Sequence, residues 1–159
     1  GGGLGVPDKQ EDLPFDLGAL SAALTMVREQ MPRPVKVWIE PGRYLVAESG
    51  VLLARVTQTK GKGEMRYVGV ATGMNSLIRP ALYGAYHEIY NLSRLDQRAD
   101  TVYNVVGPIC ETADILGLDR VLPQCQEGDV LLIANAGAYG ATMASNYNMR
   151  APAPEVVID

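Results

Sequence analysis

"VLLARVTQTK", residues 51–60, sets the character of most of this chain. It is rich in apolar and β-branched residues, holds no proline, and runs into "KGKG" (60–63), a turn. It reads as a strand. Three more such stretches follow: "MRYVGVATG" (65–73), "TVYNVVGP" (101–108) and "DVLLIANAG" (129–137). Loops carrying Gly, Pro, Asn and Asp separate them. Repeated strands with irregular links predict a β-sandwich or β-barrel. Helical pieces are predicted only over 80–91 and 93–96.

The texture before residue 45 is different. "FDLGALSAALTMVREQM" (15–31) predicts an amphipathic helix capped by Asp16. Leu17, Leu20, Leu24, Val27 and Met31 recur at spacings of three and four, the pattern of a core-facing stripe. Pro32 and Pro34 end it. "VKVWIE" (35–40) then predicts a strand. With the glycine cluster "GGGLGV" (1–6) in front, the order is glycine loop, helix, strand, a fragment of an α/β repeat. The boundary falls near residues 45–50, giving an α/β region over 1–48 and a β domain over 49–159. The first region is too short to close a sheet or barrel. The chain is therefore expected to be one part of a larger protein.

Composition excludes several classes. The 159 residues are 47% hydrophobic and 20% charged, neither disordered nor membranous, with net charge −4. An acidic balance disfavours nucleic acid and anionic membrane surfaces. No apolar run nears the ~18 residues of a membrane span. Two cysteines make no disulfide framework, and no secretory leader opens the sequence, so a cytoplasmic setting is expected. A single histidine, His87, offers no metal cluster and reads as structural or surface.

Five stretches could carry chemistry. Gly1 to Gly5 is either a tight turn or a loop whose backbone N–H groups approach a phosphate. "EPGR" (40–43) follows the predicted strand, the edge at which α/β folds bind ligands. Its Pro-Gly turn would place Glu40 and Arg43 in one small volume, as a surface ion pair or as part of a site. "RPALYGAYHEIY" (79–90) sets Arg79 before Tyr83, Tyr86 and Tyr90 at helical intervals: a carboxylate anchor, or aromatics packed on a core. "GPICETADILG" (107–117) pairs the Cys110 thiol with the Glu111 carboxylate, with Asp114 three residues on. A thiol can protonate a carbanion and a carboxylate can hold an ammonium; a buried cysteine beside a loop acid is the plainer reading. "NAGAYGATMASNYN" (135–148) surrounds Tyr139 with small residues, for close approach to a ligand or a partner chain, or for tight helix packing.

In this order and at these intervals, GGGLG, EPGR, RPALYGAYH, GPxCE and GAYGxxxSxxYN resemble the C-terminal part of the diaminopimelate decarboxylases. These are pyridoxal 5'-phosphate enzymes of the alanine-racemase-like, ornithine-decarboxylase-like fold group. The resemblance covers nearly the whole chain. It implies the tail of a TIM-type (β/α)8 barrel followed by a β-sandwich or β-barrel domain. It implies that Gly2 and Gly3 contact the cofactor phosphate and that Glu40 faces the pyridine nitrogen. Pro41, Gly42 and Arg43 would complete that corner. Arg43, Arg79 and Tyr83 would contact substrate, and Tyr139 would touch substrate or cofactor. Cys110 would be the proton donor and Glu111 the reader of the distal ammonium. Both would enter the neighbouring subunit's site, so a homodimer is implied.

The implied reaction removes CO2 from meso-diaminopimelate to give L-lysine. Ornithine-type relatives carry Asp after the cysteine, so Cys110-Glu111 favours a substrate with an amino acid head at each end. The alternatives are another basic amino acid decarboxylase (ornithine, arginine or carboxynorspermidine) and a non-catalytic dimerisation domain. The family lysine that holds the cofactor lies upstream of the glycine loop. Lys9, Lys36, Lys60 and Lys62 stand in other contexts, so the 159 residues alone are expected to be inactive. Ala71, in "VATGMN" (70–75), stands where the family commonly has an acid.

Overall fold

The computed structural model describes residues 3–9 and 11–158. Six strands form a mixed sheet in the order β3-β6-β1-β2-β4-β5. The strands are β1 (Leu52–Lys62), β2 (Met65–Val70), β3 (Ile89–Asn91), β4 (Thr101–Val106), β5 (Ile115–Leu122) and β6 (Val130–Ile133). Among the described residues three α-helices accompany them: α1 (Leu17–Glu29), α2 (Gly42–Val46) and α3 (Arg79–Tyr83).

β1 joins the two halves of the sheet. Its first part, Leu52 to Arg55, pairs antiparallel with β6, and from Val56 onward it pairs antiparallel with β2. A bulge between Val56 and Gln58 marks the changeover. There Thr57 turns its hydroxyl onto the Gly69 carbonyl at 3.1 Å, and the extra residue bends the strand. β2 and β4 are parallel, so the chain between them must cross over, and α3 and β3 lie in that crossover. The two ends of the strand order curl toward one another. A Cβ on Gly117 of β5 would stand 2.8 Å from Ile89 Cδ1 of β3, so the sheet is nearly closed and barrel-like.

Alternation fills the interior. Leu52, Ala54 and Val56 point inward from β1 and meet Val68, Val105 and Leu131 in one buried cluster. At the rim, Asp129 receives Arg94 through two hydrogen bonds, Nε at 2.6 Å and Nη2 at 3.1 Å, and Asn91 Nδ2 at 3.0 Å. Burial raises the Asp129 carboxyl, but these donors outweigh it and the net shift is downward.

The four strands predicted from residue 51 onward are all present. β3 and β5 are additional. Residues 80–91 do not form one helix: α3 stops at Tyr83, Gly84 adopts φ 63 as its left-handed cap, and the chain turns into β3. The helical spacing of Tyr83, Tyr86 and Tyr90 is therefore coincidental. Over 93–96 there is only a 3₁₀ turn, Leu92–Arg94.

The region before β1 departs further. α1 forms as expected, with Asp16 Oδ1 accepting from Ala19 N–H at 2.8 Å. Its apolar stripe is not buried, however: Leu17, Val27 and Met31 are all exposed. "VKVWIE" forms no strand, and Trp38 is 86% exposed. A strand needs a ladder partner, and the described residues supply none to 35–40.

Candidate active site

The stretch that follows β6 makes hydrogen bonds within or a few residues from each of the other segments singled out for chemistry. At Ala134 the carbonyl accepts from His87, the histidine beside Arg79. One residue on, Asn135 Nδ2 donates to the Pro7 carbonyl at 2.9 Å, tying down the end of the glycine loop. Gly137 N–H donates to Ala47 O at 3.0 Å, just past "EPGR". Ser145 N–H reaches Asn75 O at 2.9 Å. Tyr147 Oη donates to Glu111 Oε1.

Small residues are required in this stretch for packing within the chain. A Cβ on Gly137 would overlap the Val46 carbonyl, and one on Gly50 would stand 2.8 Å from Gly137 Cα. A Cβ on Gly140 would overlap the Ala136 carbonyl. The close approach is thus to the chain's own backbone. Between these glycines Tyr139 is held at φ 61, an unusual conformation for an aromatic residue, with its ring half-exposed.

The glycine loop and "EPGR" form the first corner. Gly2 lies outside the described residues. Gly3 has φ 56, and neither Gly3 nor Gly42 has a heavy atom within 4 Å of where a Cβ would stand. Their backbone can therefore be approached by an anion. Pro41 caps α2, and its carbonyl accepts from Leu45 N–H at 3.2 Å. The Glu40 carbonyl accepts from Gly42 N–H at 2.9 Å, making the tight turn the Pro-Gly pair predicts. Glu40 is exposed and Arg43 half-buried.

The second corner is built on "TGMNS" (72–76). The Asp114 carboxylate is buried and accepts Met74 N–H and Ile109 N–H, each at 2.6 Å. It sits where side chains on Gly73 and Gly107 would be. The loop bearing Cys110 and Glu111 is thereby clamped onto the segment that leads into α3. Asn75 Nδ2 faces the Arg150 and Ala151 carbonyls at 3.4 and 3.3 Å, and Ser76 Oγ accepts from Ala153 N–H at 2.9 Å. Ala71 is exposed, and its N–H bonds Arg55 O at 2.9 Å.

From this corner Cys110 and Glu111 project outward, both exposed. Arg79 is buried and Tyr83 is 65% exposed, on successive turns of α3. His87 is not at the surface but fully buried. The hydrogen bond to Glu111 holds the Tyr147 phenol above its ordinary pKa, so Tyr147 keeps its proton at neutral pH. Three residues without an assigned role from sequence thus support the site: Asp114, His87 and Tyr147. Asp114 lies 40 residues from the Met74 N–H it anchors, a separation that no local pattern encodes.

Residues 24–137 match the family described as pyridoxal-dependent decarboxylase, C-terminal sheet domain. A diaminopimelate decarboxylase of Neisseria meningitidis serogroup A is 50% identical over 159 residues, covering all of this chain and 38% of that protein. One of Escherichia coli K12 is 43% identical over 174 residues, covering all of this chain and 41% of that protein. The crystal structure of diaminopimelate decarboxylase from Helicobacter pylori complexed with L-lysine superposes with a TM-score of 0.84 at 36% identity. That match covers 94% of this chain and 36% of that one. The chain thus spans about two fifths of the length of these relatives.

Proposed function

Because this chain belongs to the pyridoxal-dependent decarboxylases, whose C-terminal sheet domain it carries, we propose that the whole protein converts meso-2,6-diaminopimelate to L-lysine and CO2. In this reading residues 1–48 are the last piece of a cofactor-binding α/β barrel, and 49–159 are the β domain. The observation that carries it is the outward presentation of Cys110 and Glu111 on a loop clamped by Asp114. A thiol and a carboxylate so held can serve a site completed by a second copy of the chain, so the working form is a homodimer.

The residues of the first corner fit pyridoxal 5'-phosphate. Approachable backbone at Gly3 and Gly42 suits the phosphate, with Pro41 holding the turn and Arg43 adding positive charge, while Gly2 lies outside the described residues. The Glu40 carboxylate suits a protonated ring nitrogen. When bound, that cofactor supplies the electron sink for the pair left behind as CO2 departs.

This chain's side chains then do the rest. Arg79 pairs with the distal carboxylate and Glu111 with the distal ammonium, while Tyr83 and Tyr139 wall the substrate. Cys110 Sγ–H gives its proton to the α-carbon that lost CO2, and the thiolate is reprotonated from solvent. The lysine that holds the cofactor in this family lies upstream of the glycine loop, and Lys9, Lys36, Lys60 and Lys62 stand in other contexts, so the 159 residues alone should release no CO2 even with added cofactor.

The test is a substrate panel on the full-length enzyme. CO2 release from meso-diaminopimelate should exceed that from ornithine or arginine by at least ~100-fold in kcat/KM. Preference for a substrate without a distal carboxylate would overturn the reading.

A further inference from the structure

His87 is 0% exposed, although histidine is usually only partly buried. The left-handed cap at Gly84 turns the chain so that residue 87 enters the interior between α3 and β6. Its two ring nitrogens have different partners. Nδ1 lies 2.8 Å from the Ala134 carbonyl oxygen, and Nε2 lies 3.3 Å from Arg79 Nη1.

These partners fix the protonation state. A carbonyl can only accept, so Nδ1 carries the hydrogen. A guanidinium can only donate, so Nε2 presents its lone pair. Both bonds form together only in the neutral Nδ1–H tautomer. Burial lowers the His87 pKa; the Ala134 bond and Asp8 oppose this, while Arg79 and Arg120 reinforce it, and the net shift is downward. The ring is therefore neutral at physiological pH.

We propose that His87 is the positioning residue for Arg79: its Nε2 holds Nη1 and turns the rest of the guanidinium toward a substrate carboxylate. The inference rests on the reading of Arg79 as the carboxylate anchor. Arginine has five N–H donors in a planar fork, and fixing Nη1 by one bond sets the direction of the others. An anchor held in place before substrate arrives loses less freedom on binding. The chain Ala134 O, His87, Arg79 extends this rigidity from the end of β6 to the site.

Two substitutions in the full-length enzyme separate positioning from packing. In His87→Asn the amide N–H can still donate to Ala134 O, but no acceptor reaches Arg79. In His87→Gln an oxygen can take the place of Nε2. His87→Asn should raise KM for diaminopimelate about tenfold with little change in kcat, and His87→Gln should recover most of that loss. L-Lysine, which keeps a carboxylate, should inhibit His87→Asn about tenfold more weakly. 1,5-Diaminopentane, which lacks one, should inhibit it unchanged.

If Arg79→Gln raises KM and His87→Asn does not, the inference is wrong and the reading of Arg79 stands. If Arg79→Gln leaves KM unchanged, the reading of Arg79 fails and the inference fails with it. Equal weakening of both inhibitors by His87→Asn would mark general damage and overturn the positioning role. Should His87→Asn not fold, His87→Gln decides through the same inhibitor pair: a loss confined to L-lysine supports positioning, and an equal loss overturns it.

Discussion

Asp114 and Met74, forty residues apart, are joined by a 2.6 Å hydrogen bond from the Met74 N–H to the Asp114 carboxylate. The second carboxylate oxygen takes Ile109 N–H at the same distance. Both oxygens must accept, and the group is buried. Asp114→Asn keeps the shape but turns an amide N–H₂ toward one of the two backbone donors. It should destabilise the full-length enzyme by about 1–3 kcal/mol and lower turnover by loosening the Cys110 loop. Thermal unfolding checks this, and an unchanged midpoint would show that the clamp contributes little.

Gly107 is the complement of that carboxylate. A Cβ there would overlap Asp114 and stand 2.5 Å from Gly73 Cα, whereas a Cβ on Gly61 meets no heavy atom within 4 Å. Gly107→Ala should cost about 1–3 kcal/mol through overpacking. Gly61→Ala should change stability by less than about 1 kcal/mol, since the gain from stiffening the unfolded chain is small. Denaturant midpoints of the two variants, measured side by side, should differ clearly. Equal midpoints would sink this account of the loop.

His87 gives the stability a defined acid limit. Its pKa in the fold lies below the ordinary 6.5, chiefly through burial, with Ala134 O and Asp8 opposing and Arg79 and Arg120 assisting. Below about pH 6.5 the unfolded chain takes up a proton that the folded chain refuses. The contribution is fully present above that pH and is lost as pH falls toward the folded value. Between pH 6.5 and 5, wild-type stability should fall more steeply than that of His87→Gln, which has no such proton to bind. Parallel slopes in the two proteins would show that folding does not lower the His87 pKa.

The strands β1, β2, β4 and β6 were legible because each is a run of apolar and β-branched residues bounded by turn formers. β5 was not, because Gly117 and Asp119-Arg120 interrupt its pattern. The structure resolves those residues as a bulge, where Asp119 at φ 51 donates its N–H to Asn104 Oδ1 at 3.0 Å. β3, with only three residues, is set by its pairing with β6 and not by local preference. "VKVWIE" has strand propensity without a partner, so propensity alone misleads there. The candidate site shows the same split. Cys110-Glu111 and Arg79 stand out as residue types suited to acid, cation and carboxylate chemistry. Asp114, His87 and Tyr147 act through contacts 40, 8 and 36 residues away in sequence, which residue types do not announce.

Tyr147 and Cys110 should separate binding from chemistry. The Tyr147 phenol donates to one oxygen of Glu111 and leaves the other for a cation. That bond raises the Tyr147 pKa, so the donor persists through neutral pH. Because both side chains are exposed, the bond is of modest strength. Tyr147→Phe in the full-length enzyme should raise KM for diaminopimelate about three- to tenfold and leave kcat nearly intact. Cys110→Ala should do the reverse, lowering kcat by about 10²-fold or more with KM and cofactor content preserved, because in the proposed function Cys110 is an acid used only after CO2 has left. Steady-state kinetics with cofactor absorbance as a control distinguish the two patterns. A kcat loss in Tyr147→Phe as large as that in Cys110→Ala would mean that the phenol takes part in proton delivery instead of holding Glu111.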